Sequence, residues 1–168
     1  MMLVNKIVNL IKNGKFEVSL RDLLPLKKNK IRIKIKAVGI CASDIPRACE
    51  DGAYNYPLVM GHEMTGVIFE SHSKEFKIDD RVVIFPLIPC KKCTFCITRN
   101  YNHCTNYSYY GSREDGGYAK YIDVYPWNIL KIGKKISFLD SFALEPSAVA
   151  LNTINTLFKT KPKKKEKI

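Results

Sequence analysis

Four cysteines, Cys90, Cys93, Cys96 and Cys104, spaced C-x2-C-x2-C-x7-C, constrain this 168-residue chain more than any other feature. The stretch they bracket has few apolar residues and no clear period, so it reads as a loop lobe that needs a staple in place of a core. Two-residue gaps let the chain fold back so that successive sulfurs face one ion. Zinc prefers four tetrahedral ligands and takes thiolates at about 2.3 Å. An iron–sulfur cluster is the competing reading, because bacterial ferredoxins use C-x2-C-x2-C-x3-C-P. Here the last gap is seven and Thr105, not proline, follows Cys104. Unligated core cysteines are the third reading. A closed four-thiolate site has no open position, so a zinc there holds structure and does no chemistry.

The rest of the composition bears on where such thiols stay reduced. The first ten residues are apolar but broken by Asn5, Lys6 and Asn9, and they lead into a turn rather than a small-residue cleavage site. No run approaches the roughly 20 apolar residues of a membrane span. The chain is therefore expected to be cytoplasmic, where clustered cysteines serve metals or redox chemistry rather than disulfides. The formal charge is +12, concentrated in Lys27-Lys28-Asn29-Lys30 and in the tail from Lys159 to Lys167. Such runs are usually solvated surface. The alternative is a stand-alone zinc-binding module whose basic surface contacts nucleic acid or a protein partner, with Tyr101, Tyr107, Tyr109 and Tyr110 near the cysteines. Against it, those rings sit in an irregular loop rather than along a strand face.

The chain before residue 136 reads as short strands: Lys6 to Ile11, Phe16 to Leu20, Ile31 to Ala37, Met64 to Glu70, Arg81 to Phe85, Gly117 to Val124 and Trp127 to Ile132. Asn13-Gly14 is a two-residue hairpin signal. Ile31, Ile33, Ile35 and Ala37 alternate with Arg32, Lys34 and Lys36, which predicts a half-buried strand with a basic outer face. Short strands separated by turns predict a mainly β fold, a small barrel or sandwich. After Ile136, Ser137 and Asp140 resemble a capping box, Leu139, Phe142 and Ala143 mark one helical face, and Pro146 is placed to open a further helix. Ala148, Val149, Leu151, Ile154, Leu157 and Phe158 continue it at helical spacing.

Cys41, His62, Glu63 and Glu145 form a second set of candidate metal ligands. Each stands at a predicted element boundary, where a side chain can point into a cleft. Each also has a plain structural reading: a small buried hydrophobe for Cys41, a hydrogen-bonded scaffold residue for His62, and a carboxylate favoured by a helix N-terminus for Glu145. Cys49 and His72 lack supporting context and are read as structural.

Taken together, Gly39-Ile40-Cys41-Ala42-Ser43-Asp44, Gly61-His62-Glu63, the four-cysteine lobe and Glu145-Pro146 resemble the N-terminal part of the zinc-dependent medium-chain alcohol dehydrogenases. Within them the chain is most similar to the sorbitol and galactitol-1-phosphate dehydrogenase branch, through Ser43-Asp44-Ile45-Pro46-Arg47, Phe85 to Cys90 and Gly111 to Gly117. The resemblance implies a GroES-like β-barrel over residues 1–136. Residues 137–168 would be connecting helices and a basic tail. It implies a catalytic zinc on Cys41, His62 and Glu145, with Glu63 binding directly or through water, and a structural zinc on the four-cysteine lobe. It implies NAD(P)-dependent oxidation of a polyol or polyol phosphate to a ketose.

An open zinc position lowers the pKa of a bound hydroxyl, and Ser43 is then placed for a proton relay, an ordinary turn serine being the other reading. Arg113 is a candidate for a substrate phosphate, or else pairs with Glu114 or Asp115.

Two departures from the family are Ala42, where glycine is common, and Asn152, where histidine is common. A larger one is that no G-x-G-x-x-G turn follows a strand anywhere in the sequence. The Rossmann domain that binds NAD(P) in relatives is therefore expected to be missing, and the chain is expected to be inactive alone. The resemblance further implies that full-length relatives form homo-oligomers. Here the apolar C-terminal helix offers a face for association.

Overall fold

The computed structural model describes residues 3–160, so the basic tail from residue 161 onward lies outside the described residues. Ten strands come in chain order: β1 (Val4–Lys12), β2 (Lys15–Asp22), β3 (Ile31–Gly39), β4 (Leu58–Val59), β5 (Glu63–Ser71), β6 (Arg81–Ile84), β7 (Leu87–Ile88), β8 (Ser108–Tyr109), β9 (Tyr121–Val124) and β10 (Ile129–Lys131). Helix α1 (Asp44–Cys49) follows β3, α2 (Thr94–Ile97) lies in the cysteine lobe, and α3 (Phe138–Ser141) and α4 (Leu144–Thr160) end the described chain.

The hairpin of β1 and β2 turns at Asn13-Gly14, where Gly14 has φ +69°, a left-handed conformation that glycine adopts without steric cost. This sheet has order β2-β1-β4, and the main sheet has order β10-β6-β5-β3-β9. The two are stitched where Val8 N donates to Tyr118 O and Lys120 N to Lys6 O, both at 2.8 Å. The strands thus wrap around one apolar interior. Ile31, Ile33, Met64, Ile68, Val82, Ile84 and Val124 fill it, each at most 1% exposed.

The mainly β body and C-terminal helices agree with the sequence expectation, with local differences. Ile31, Arg32 and Ile33 are buried in succession, because Arg32 is covered by its cross-strand neighbours Glu70 and Asp123 and by the chain at Leu24. Arg32 is therefore not on a basic outer face. It is 5% exposed. Its guanidinium donates to both oxygens of Asp123 at 2.8 Å, to Glu70 at 2.9 Å and to Leu24 O at 2.7 Å. The segment Gly117 to Lys120, expected as strand, contributes isolated rungs to β1, and regular β9 starts at Tyr121. Helix α1 and the two-residue strands β4, β7 and β8 carry no periodic signal.

Ser137 Oγ accepts from Asp140 N at 3.0 Å, the expected cap of α3. Helix α4 starts at Leu144, two residues before Pro146. The proline is still tolerated, because first-turn N–H groups have no intrahelical acceptor to lose. Thr65 Oγ1 and Ser141 Oγ lie 2.8 Å apart in the interior and pin α3 to β5, which fixes where α4 departs.

Candidate metal centres and cleft

The chain after β7 runs into the cysteine lobe, and Asn128 sets that path. Its side-chain amide donates to Phe85 O at 2.6 Å and Leu87 O at 2.7 Å, while Phe85 N donates to Asn128 O at 2.7 Å. Within the lobe, Cys90, Cys93, Cys96 and Cys104 place their sulfurs within 4.8 Å of one another. Cys90 and Cys96 are 3.9 Å apart, as are Cys93 and Cys104. A disulfide needs about 2.05 Å, so these are free thiols. Four ligands at about 2.3 Å from one tetrahedral ion stand about 3.8 Å from each other. The sulfur spacing fits a single ion. Cluster thiolates bind separate irons and must be spread more widely. Backbone N–H groups of Thr105 and Cys96 hold the Cys93 thiol down to about 6, and those of Lys92 and Cys93 hold Cys90 low. Burial and the neighbouring sulfurs push Cys96 up to about 12, the repulsion a cation would relieve.

The second centre assembles at strand ends. Gly39 ends β3 opposite Glu63, the first residue of β5, with His62 immediately before it. A Cβ on Gly39 would lie 1.9 Å from Glu63 Oε2, so glycine makes room for that carboxylate. Gly61 has φ +90°, a left-handed turn that aims His62 inward. Ligand atoms of Cys41, His62 and Glu63 come within 4.8 Å of one another, and both His62 and Glu63 are 6% exposed.

Asp44, to which the sequence reading gave no role, organises this centre. It is 3% exposed. Its carboxylate accepts from Cys41 N at 3.2 Å and from Tyr118 Oη at 3.4 Å, and lies 3.6 Å from Arg47 Nη1. Oδ1 of Asp44 and Nδ1 of His62 face each other at 3.4 Å, too poorly aligned for a hydrogen bond, and neither atom makes a hydrogen bond elsewhere, Oδ1 having besides only the longer ion pair to Arg47. Burial alone would lower the His62 pKa. The Asp44 carboxylate, then Cys41, more than offset it and raise the ring to about 9. A carboxylate on one ring nitrogen is the partner metal-ligating histidines commonly have, and it leaves the other nitrogen for a cation. The donor set of thiol, imidazole and carboxylate suits zinc. A carboxylate three residues after a candidate cysteine was the available clue.

Glu145 is not part of this close group. It stands in the first turn of α4, where its Oε1 accepts from Tyr109 Oη at 3.2 Å, and burial raises its pKa. Glu145, His62 and Ser43 nevertheless line one cleft of about 690 Å³. Ser43 Oγ donates to Cys41 Sγ at 3.3 Å. Tyr109 also stands edge-on to His62, with ring centroids 5.9 Å apart. Arg113 lines the same cleft and pairs with neither acidic neighbour: Asp115 binds Arg21 at 2.7 Å, and Glu114 accepts from Ser108 at 3.1 Å. Asn152 reaches the cleft from α4. Cys49 and His72 are exposed and belong to neither thiol nor carboxylate group. The four tyrosines form no stacking platform. Tyr110 is buried, Tyr101 packs on Trp127, Tyr107 on Arg113, and Tyr109 on His62.

Residues 27–134 match the family model for the alcohol dehydrogenase GroES-like domain. The chain belongs to this family. Galactitol 1-phosphate 5-dehydrogenase of Escherichia coli K12 is 35% identical over 130 residues, which cover 76% of this chain and 38% of that protein. The crystal structure of galactitol-1-phosphate dehydrogenase from Escherichia coli superposes with a TM-score of 0.85 at 33% identity, covering 89% of this chain and 44% of that one. The structure of the short chain alcohol dehydrogenase rspB from Escherichia coli CFT073, complexed with NADH, gives 0.84 at 28% identity, covering 91% and 45%. The GroES-like chain described here thus spans less than half the length of these relatives. No helix among its described residues is long and apolar enough to cross a membrane.

Proposed function

We propose that this chain is the metal- and substrate-binding part of a zinc-dependent polyol dehydrogenase, which oxidises a polyol or polyol phosphate to a ketose with NAD(P) as hydride acceptor. The observation that carries the reading is the convergence of Cys41, His62 and Glu63 beside a cleft that Ser43 and Glu145 also line. Cys41, His62 and Glu63 would hold the ion, and Glu145 would add a carboxylate from α4. In this reading residues 1–136 are the catalytic domain and residues 137–168 connect it to the nicotinamide-binding unit, in the same or another chain.

Bound zinc supplies Lewis acidity, lowering the pKa of the alcohol to be oxidised. The residues do the rest. Asp44 fixes the ring of His62 from behind. Ser43 Oγ, exposed to the cleft, would accept the alcohol proton as its own hydroxyl hydrogen turns from Cys41 Sγ to leave to water. A carboxylate from Glu145, rather than a second thiolate, would make the site harder and better suited to a polyol's oxygens. Tyr109 and the apolar wall of Phe85, Leu87 and Val149 limit water at the reacting carbon.

Zinc per chain, measured after dialysis against a weak chelator, tests the reading. Two ions are expected, one lost in Cys41→Ser and the other in Cys93→Ser. A single ion that survives Cys41→Ser would overturn it.

A further inference from the structure

We propose that the cleft is built for a sugar alcohol that carries an oxyanion at one end, and that Arg113 is the residue that receives it. The inference deepens the reading above and rests on it for the location of the reacting hydroxyl.

Two separate segments meet at Arg113. Its guanidinium carbon lies 4.7 Å from the Tyr54 ring centroid, after α1, and 4.5 Å from the Tyr107 ring, before β8. Its Nη1 reaches Tyr107 O at 3.5 Å. Ring contacts of this kind consume none of its N–H donors, and with one of them on Tyr107 O most of the five are left for a bidentate acceptor. No described carboxylate lies within ion-pair distance of Arg113, although Glu114 and Asp115 follow it in sequence. Both are committed elsewhere: Asp115 to Arg21 and Val59 N, and Glu114 to Ser108. The chain thus leaves this exposed, ring-flanked cation without the two carboxylates that follow it in sequence.

The balance of charge in the cleft points the same way. Arg47 and Arg99 line it with Arg113, against the single carboxylate of Glu145. Arg47 is partly satisfied by Asp44 at 3.6 Å and by Ser43 O at 3.4 Å. A neutral polyol would leave this excess positive charge unmatched as water is displaced. A phosphate monoester and a carboxylate share the chemistry that would match it, two oxygens set for a guanidinium fork. The substrate class is accordingly an anionic acyclic sugar alcohol, with the charged end toward Arg113 and an interior CH–OH toward Cys41 and His62.

The test is calorimetric titration of the zinc-loaded chain with galactitol 1-phosphate, galactonate and galactitol. At least one anionic ligand is expected to bind about thirtyfold more tightly than galactitol, the gain of a charge-assisted bidentate contact. Whichever anion binds more tightly identifies the terminal group as phosphate or carboxylate. In Arg113→Ala that ratio should fall close to one, and Arg113→Lys should restore only part of it, since an ammonium keeps the charge without the fork. Two zinc ions per chain in both variants would show that they are folded. Equal affinities for all three ligands, an unchanged ratio in Arg113→Ala, or no binding by any ligand would each overturn the inference. Failure of the underlying reading looks different: binding would persist unaltered in Cys41→Ser.

Discussion

Tyr109 donates its phenolic hydrogen to Glu145 at 3.2 Å, and the same ring stands edge-on to His62. One side chain of β8 thus touches both the strand-borne centre and the carboxylate of α4. That hydrogen bond competes with any cation for Glu145. Its loss in Tyr109→Phe should free the carboxylate to join the centre. A hydrogen bond of about 1 kcal/mol net converts to roughly a fivefold gain in affinity for the second zinc. Competition against a chromophoric chelator measures it, and Glu145→Gln should shift the affinity the opposite way in the same assay.

Gly39→Ala should damage the second centre without disturbing the first. The added methyl would collide with Glu63 Oε2 at 1.9 Å and with the Phe142 ring at 2.7 Å. Glu63 is buried and has little room to retreat. The expected result is loss of the zinc that depends on Cys41, with the four-cysteine ion retained. Retention of both ions with wild-type affinity would show that Glu63 is dispensable.

Much of this was readable in the sequence, and the failures have definable causes. The hairpin at Asn13-Gly14 and the cap at Ser137 are local events, set by residues within a few positions of each other. The four cysteines are equally local. Arg32 was misplaced because Asp123, Glu70 and the Leu24 carbonyl, all distant in the chain or on other strands, cover its side chain, and hydropathy alternation cannot register what packs over a face. Helix α1 escaped because six residues are too few to show a period, and Pro46 inside it reads as a breaker. Asp44 and Tyr109 owe their roles to partners far away in the chain, Tyr118 and Glu145 among them. No spacing rule encodes those meetings. The expected ligand Glu145 does enter the cleft, but bound to Tyr109 rather than within the close group of Cys41, His62 and Glu63.

Asn128→Ala should cost about 2 kcal/mol of unfolding free energy, because it removes two hydrogen bonds and strips the Phe85 and Leu87 carbonyls of their donor. Urea titration followed by Trp127 fluorescence would detect it. A difference below about 0.5 kcal/mol would mean that water replaces the amide without penalty.

Acid should weaken one surface tie in a predictable direction. Asp80 accepts from Lys131 at 2.8 Å and from Lys77 N at 2.9 Å, and these contacts, the first being the larger, lower its pKa. A depressed folded pKa means that the stabilisation is fully present above the ordinary carboxylate value of 3.8 and is lost as pH falls through the folded value. Melting temperatures of wild type and Asp80→Asn should therefore differ at pH 7 and converge toward pH 2. A constant gap across that range would place the benefit elsewhere.

The pairing of Gly39 with Glu63 lies at the far end of the ladder that joins β3 to β5, beyond both of its bulges. A chain that zipped these strands one residue out of step would turn Glu63 toward the opposite face of the sheet. On the proposed function, Cys41-dependent zinc uptake would also require the correct register of β3 and β5. Such mispaired molecules would keep the structural zinc, whose four cysteines are local, and would lack the second ion.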